Sequence, residues 1–173
     1  TFPIGSEKTT KERNMIEPCM QLALKELEPY GKPEFPEEGQ QKISITAKTE
    51  DFEIPVIGFL DLVFPDHGTI IDLKTTGRMP TTMSLEHKLQ RAIYQKANGN
   101  QAVKFLYVTP KKVSLLEDGD PSELLARAKK QISRLEKFLR AGSKEDIRQV
   151  IPVNPSSFYW NGAEEIREQL YEI

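Results

Sequence analysis

The pattern of apolar and polar positions is strand-like between residues 54 and 76, in "IPVIGFLDLVFPDHGTIIDLKTT". Two strand-like runs flank Pro-Asp-His-Gly, which predicts a hairpin with a tight turn. "QKISITAKT" (41–49) alternates with period 2 and predicts a half-exposed strand. "AVKFLYVTP" (102–110) is short and almost continuously apolar, the pattern of a strand buried on both faces. Helical spacing governs most of the rest. Residues 15–28 predict a helix with Asn14 as cap and Pro18 in its opening turn, where an N–H has no internal acceptor. "SLEHKLQRAIYQKAN" predicts an amphipathic helix capped by Ser84 and stopped at Gly99. The stretch 119–142 opens with Asp120 as cap, Pro121 at the first helical position and Glu123 completing a capping box. Its apolar positions 124, 128, 132, 135 and 139 form one stripe. A short helix from Ser143 and a last one from about Ala163 follow, while residues 1–13 read as loose and 31–40 as a linker. The order helix, three strands, helix, strand, helices predicts an α/β domain: a small mixed β-sheet flanked by helices.

Composition narrows the class. With 173 residues, 38% apolar and 29% charged, the chain is expected to fold as a single domain with a real core. No apolar run approaches the ~20 residues needed to span a bilayer, and no membrane association is expected. The single cysteine, Cys19, excludes an intramolecular disulfide or a cysteine-rich metal cluster and fits a cytoplasmic setting. A start at Thr1 with no visible signal peptide is compatible with an N-terminally truncated fragment. The net charge of −2 argues against nucleic acid, but the distribution argues for it. Between residues 73 and 112 stand Lys74, Arg78, Lys88, Arg91, Lys96, Lys104, Lys111 and Lys112 against Glu86 alone. What a phosphate backbone meets is this local field rather than the total.

The candidate chemistry sits at the end of the hairpin. Ile57, Phe59, Asp61 and Val63 share one strand face, so Asp61 interrupts an apolar set and must be paired, protonated or holding a cation. In "TIIDLKTTG", Asp72 and Lys74 point one way and Leu73 the other. The hairpin can bring Asp61 close to Asp72. A hard divalent cation would resolve the repulsion, as Mg²⁺ is held by one or two carboxylates with water and phosphate oxygens. Lys74 would then steady charge developing on phosphate; the plainer alternative is that Lys74 only neutralises the two aspartates. Gln90 and Tyr94, spaced i, i+4, share a helix face with Lys88 and Arg91 nearby.

The succession G-x-x-D (Gly58, Asp61), D-x-K (Asp72, Lys74) and Q-x-x-x-Y (Gln90, Tyr94) resembles the RecB-type branch of the PD-(D/E)xK nucleases. "IPVNPSSFYW" is similar to the ends of phage-borne exonucleases of that branch, and the likeness covers roughly residues 14–162. It implies a restriction-endonuclease-like core and a DNA exonuclease dependent on Mg²⁺ or Mn²⁺, with one or two ions and no iron–sulfur cluster. In that reading Asp61, Asp72 and the Leu73 backbone carbonyl are metal ligands, joined by Glu17 from the first helix. Lys74 is the catalytic lysine, and Gln90 and Tyr94 position the DNA strand. From the charge pattern, Arg91 and Lys88 are candidate DNA contacts, and Lys111 and Lys112 are either phosphate contacts or solubilising charges. The resemblance also points to phage-type recombination or repair in a bacterial cytoplasm. It leaves room for a single-strand annealing recombination protein as partner and for a homo-oligomer.

Other readings stay open at this level: an endonuclease with the same core, a catalytically silent DNA-binding or assembly module, or a structural domain with a neutralised Asp–Asp–Lys cluster. His67 and His87 read as ordinary surface histidines. Phe158, Tyr159 and Trp160 read as core anchors more readily than as base-stacking groups.

Overall fold

The computed structural model describes residues 7–34, 41–45, 56–150, 154, 160 and 162–171. The chain divides into two compact units, Thr1–Lys130 and Gln131–Ile173. The first holds helix α1 (Glu7–Leu27), strands β1 (Gln41–Ile45), β2 (Val56–Leu60), β3 (Leu62–Phe64) and β4 (Thr69–Thr75), helix α2 (Leu85–Ala97) and strands β5 (Ala102–Val108) and β6 (Val113–Leu116). The boundary falls within α3 (Pro121–Arg140); the second unit continues with α4 (Lys144–Val150) and α5 (Glu164–Tyr171).

A four-stranded mixed sheet, ordered β3-β4-β5-β6, carries the first unit, and β1 and β2 form a separate antiparallel pair. β4 and β5 run parallel, in register from Thr69 opposite Ala102 to Thr75 opposite Val108. Such neighbours need a crossover, and α2 is that crossover. The period-2 alternation of β4 divides the core in two. Ile70 joins Leu60, Met83, Tyr94, Val103, Phe105 and Tyr107 on the side of α2. Ile71 joins Cys19, Ala23, Phe64, Leu106 and Val108 on the side of α1. Asp72 and Lys74 follow Ile70, and Leu73 follows Ile71.

Several expectations are corrected. The single strand predicted across 56–64 is two, because the chain bends at Asp61: β2 pairs with β1, and β3 pairs with β4 from Leu62 opposite Ile71 to Phe64 opposite Thr69. The turn itself forms, as a 3-10 turn over Pro65–His67 closed by Gly68 at φ 54°, a left-handed conformation that suits glycine. α1 begins at Glu7, so residues 7–13 are not loose, Asn14 is not a cap, and Pro18 lies in mid-helix, where its missing N–H forfeits the bond to the Asn14 carbonyl. Residues 7–13 are polar but mostly competent helix formers, invisible to a search for apolar stripes. β6 was not anticipated: "VSLL" is four residues long and lies between charged stretches.

The caps at Ser84 and Asp120 form as expected. Ser84 Oγ accepts from His87 N–H at 3.3 Å, and Asp120 Oδ1 accepts from the N–H groups of Ser122 (2.7 Å) and Glu123 (3.2 Å). In the second unit, α4 begins on a reciprocal cap in which Ser143 and Asp146 each bond the other's backbone N–H. Residues 1–6, the linker at 35–40, the strand extension at 46–49, and Phe158 and Tyr159 lie outside the described residues.

Candidate active site

The bend at Asp61 has a partner in β4. Continuing the β3–β4 register would place Asp61 opposite Asp72, and the backbone pairing stops at Leu62. The Asp61 side chain continues the ladder instead: its Oδ2 accepts the backbone N–H of Leu73 at 2.9 Å. This fixes one carboxylate beside the peptide joining Asp72 to Leu73.

Asp72 is 2% exposed. Gln90 Nε2 donates to its Oδ2 at 3.1 Å and to Tyr94 Oη at 2.9 Å, while Lys74 Nζ stands 2.5 Å from Oδ1. Buried Oδ1 has this ionic neighbour and no other polar partner among the described residues. Burial pushes the Asp72 carboxyl above the usual carboxylate range; the Lys74 ion pair opposes this and the Asp61 charge adds to it. An under-satisfied carboxylate oxygen, with a second carboxylate coupled to it, is a donor set that fits a hard divalent cation.

Gly58 explains the placement of Tyr94. A Cβ at position 58 would lie 2.5 Å from Tyr94 Cε1 and 3.2 Å from its Oη, so only glycine lets the ring cross β2 and meet Gln90. Gly58→Ala is expected to displace Tyr94, loosen Gln90 from Asp72 and slow any reaction carried out at this site about 10–100-fold, a scale set by small misplacements of reacting groups. Parallel rate and melting measurements on Gly58→Ala and Tyr94→Phe check it: equal or better activity in Gly58→Ala would show that the Tyr94 position is immaterial.

The structure brings together Asp61, Asp72, Lys74, Gln90 and Tyr94. It does not bring Glu17 among them: this residue is on an exposed part of α1, accepting from Gln21 Nε2 at 3.3 Å. Among the described residues there is no cluster of three or more His, Cys, Asp or Glu side chains able to hold a metal ion. Arg91, expected to meet phosphate, is turned inward. It is 3% exposed, donating from Nε to Val103 O (2.9 Å), from one terminal nitrogen to Asp118 O (3.2 Å) and Gly119 O (3.1 Å), and from the other to Glu117 Oε1 (2.9 Å). Lys111 and Lys112 are exposed on the β5–β6 turn, whose shape Thr109 sets by accepting both lysine N–H groups at its Oγ1, at 3.3 and 2.9 Å. That turn lies at the same end of the sheet as Lys74, since Thr75 is opposite Val108. Lys88 is half-buried on α2.

His87, read from sequence as a surface residue, is half-buried, stacked on Phe105 and paired with Tyr107. Burial lowers its pKa from the ordinary value and the Lys74 charge lowers it further, against a smaller opposing effect of Glu86. Its spacing of three from Gln90 was the available signal, since i, i+3 residues share a helix face.

The family model of the PD-(D/E)XK nuclease superfamily matches residues 6–158. This chain belongs to that superfamily. PD-(D/E)XK nucleases generally use divalent metal ions such as Mg²⁺, and DNA is the substrate the superfamily implies. The four-stranded mixed sheet flanked by helices is consistent with their restriction-endonuclease-like fold. No curated protein matches the sequence. Among solved structures, the crystal structure of SSO0001 is similar to this PD-(D/E)XK chain with a TM-score of 0.45 and 15% identity, over 76% of this chain and 63% of that one. No helix among the described residues is long and apolar enough to cross a membrane.

Proposed function

We propose that the protein is a DNA exonuclease of the RecB-type branch, dependent on Mg²⁺ or Mn²⁺ and serving phage-type recombination or repair. The observation that carries this reading is the continuous contact chain from Tyr94 through Gln90 and Asp72 to Lys74, with Asp61 locked to the intervening backbone. Asp61, Asp72 and the Leu73 carbonyl would hold the cation, which when bound polarises a phosphoryl oxygen and acidifies water. Gln90, itself held by Tyr94, orients Asp72 through Oδ2, and Oδ1 would be the oxygen offered to the cation. Lys74 supplies positive charge where the phosphate becomes more negative. Lys111 and Lys112 draw the DNA backbone to that end of the sheet.

The test uses end-labelled linear and closed circular DNA, single- and double-stranded, with Mg²⁺, Mn²⁺, Ca²⁺ or EDTA. Linear DNA is expected to be shortened from its ends in Mg²⁺ or Mn²⁺, circles are spared, and Ca²⁺ supports binding with little turnover. Cutting of circles would make it an endonuclease, full activity in EDTA would remove the metal from the reading, and binding without any cleavage would make it a silent DNA-binding module.

A further inference from the structure

We propose that His87, together with Phe105 and Tyr107, is a positioning device that keeps the Lys74 ammonium at the site when a cation takes Asp72 Oδ1; the inference rests on reading Lys74 as the catalytic cation. Along the parallel β4–β5 pair, Asp72 is opposite Phe105 and Lys74 opposite Tyr107. Side chains in register on neighbouring strands point to the same face, so all four meet beneath α2. Lys74 Nζ stands 5.4 Å from the centre of the Phe105 ring. The imidazole of His87 packs on that same ring, with centroids 5.4 Å apart and planes inclined by 29°, and its Nδ1 lies 2.6 Å from Tyr107 Oη. The ammonium therefore has two neighbours of different kinds: a carboxylate oxygen and an aromatic face that His87 braces.

The need for the second neighbour follows from competition. Lys74 and a cation are drawn to the same oxygen, and a lysine displaced from it has a flexible four-carbon stem and water in reach. The Phe105 face attracts a cation through its quadrupole. The Tyr107–His87 contact holds the imidazole in place on the ring, and an uncharged imidazole does not repel the ammonium. α2 delivers this brace and the Asp72 clamp together, since His87 precedes Gln90 by three residues.

The experiment measures single-turnover cleavage of linear duplex DNA in Mg²⁺ and DNA affinity in Ca²⁺, for wild type, His87→Ala, Lys74→Ala and the double variant. His87→Ala is expected to slow cleavage about 10–100-fold, the scale of a displaced reacting group, with affinity within about twofold. In the Lys74→Ala background the same change is expected to have no further effect, and His87→Phe, which keeps the packing on Phe105, is expected to recover most of the rate. If His87→Ala loses the fold, His87→Gln gives the same comparison. Rate losses that multiply in the double variant, or an unaltered rate in His87→Ala beside an impaired Lys74→Ala, would overturn the inference alone. A fully active Lys74→Ala would overturn the reading of Lys74 on which it rests.

Discussion

Replacing Asp72 by asparagine is expected to abolish cleavage and, at neutral pH without metal, to make the protein more stable. Burial raises the Asp72 carboxyl above its ordinary range by more than Lys74 lowers it. The folded state therefore holds its proton to higher pH than the unfolded chain does. Between the two pKa values folding takes up protons, so stability is full below the unfolded value and declines as pH rises through the folded one. Asparagine is neutral throughout and keeps an acceptor for Gln90 Nε2, whose bond to Oδ2 is 3.1 Å. Lys74 loses its partner but is 28% exposed and can be hydrated. Thermal melting of both proteins across pH in EDTA checks this: Asp72→Asn should melt higher at neutral pH and match wild type below the carboxylate range. Mg²⁺ should raise the wild-type midpoint by ligand linkage and leave the variant unchanged. Cleavage should fall by at least ~10²–10³, the scale of losing one preorganised charge at a reacting centre. A variant that still cuts DNA at the wild-type rate would show that Asp72 holds no catalytic cation.

Arg91→Ala is expected to produce the largest loss of stability. The guanidinium satisfies the carbonyls of Val103, Asp118 and Gly119 and pairs with Glu117, tying α2 to β5 and to the segment that follows β6. Removing it leaves these acceptors without a donor, at about 1–3 kcal/mol for each that stays buried. Glu117, 41% exposed, can return to water, which moderates the total. A net loss of about 2–4 kcal/mol would lower the melting midpoint by roughly 5–15 °C in a protein of this size. Arg91→Lys should recover only part of it, because one ammonium nitrogen cannot stand at the three separate places from which Nε and the two terminal nitrogens donate. DNA affinity of the folded variant, measured in Ca²⁺, should barely change. An unchanged midpoint with a weaker salt dependence of binding would return Arg91 to the DNA surface.

The contrast between Arg91 and its neighbours shows where sequence is informative. Gln90 and Tyr94 share a face and the structure joins them at Asp72, as their i, i+4 spacing anticipates. Arg91 is one residue, about 100° of helix rotation, away. That turns it from the site toward backbone carbonyls supplied by segments 12 to 28 residues distant in sequence. No local pattern distinguishes a cation facing phosphates from one facing the protein's own carbonyls. α2 and the β4–β5 pair were legible because apolar spacing and caps agree there. The break at Asp61 was not, since the chain is strand-like and apolar on both sides of it and only the pairing of β2 with β1 reveals the change of sheet. α1 began earlier than its apolar positions, and β6 was too short to announce itself.

The alternation of β4 also bears on how the chain reaches its fold. Ile71 lies in the apolar layer beneath α1 and Leu73, though exposed, is on the same side, while Asp72 and Lys74 face α2. A slip of one residue would reverse every side chain; in the direction that moves Asp72 to the place of Ile71, it drives a carboxylate in among Cys19, Ala23 and Phe64 and turns the Lys74 ammonium to the same side. A buried charge without partners costs several kcal/mol, so the same two side chains that form the site reject that mispairing during assembly. A descendant that had lost both charges would have lost, along with its chemistry, the strongest penalty against a slipped strand.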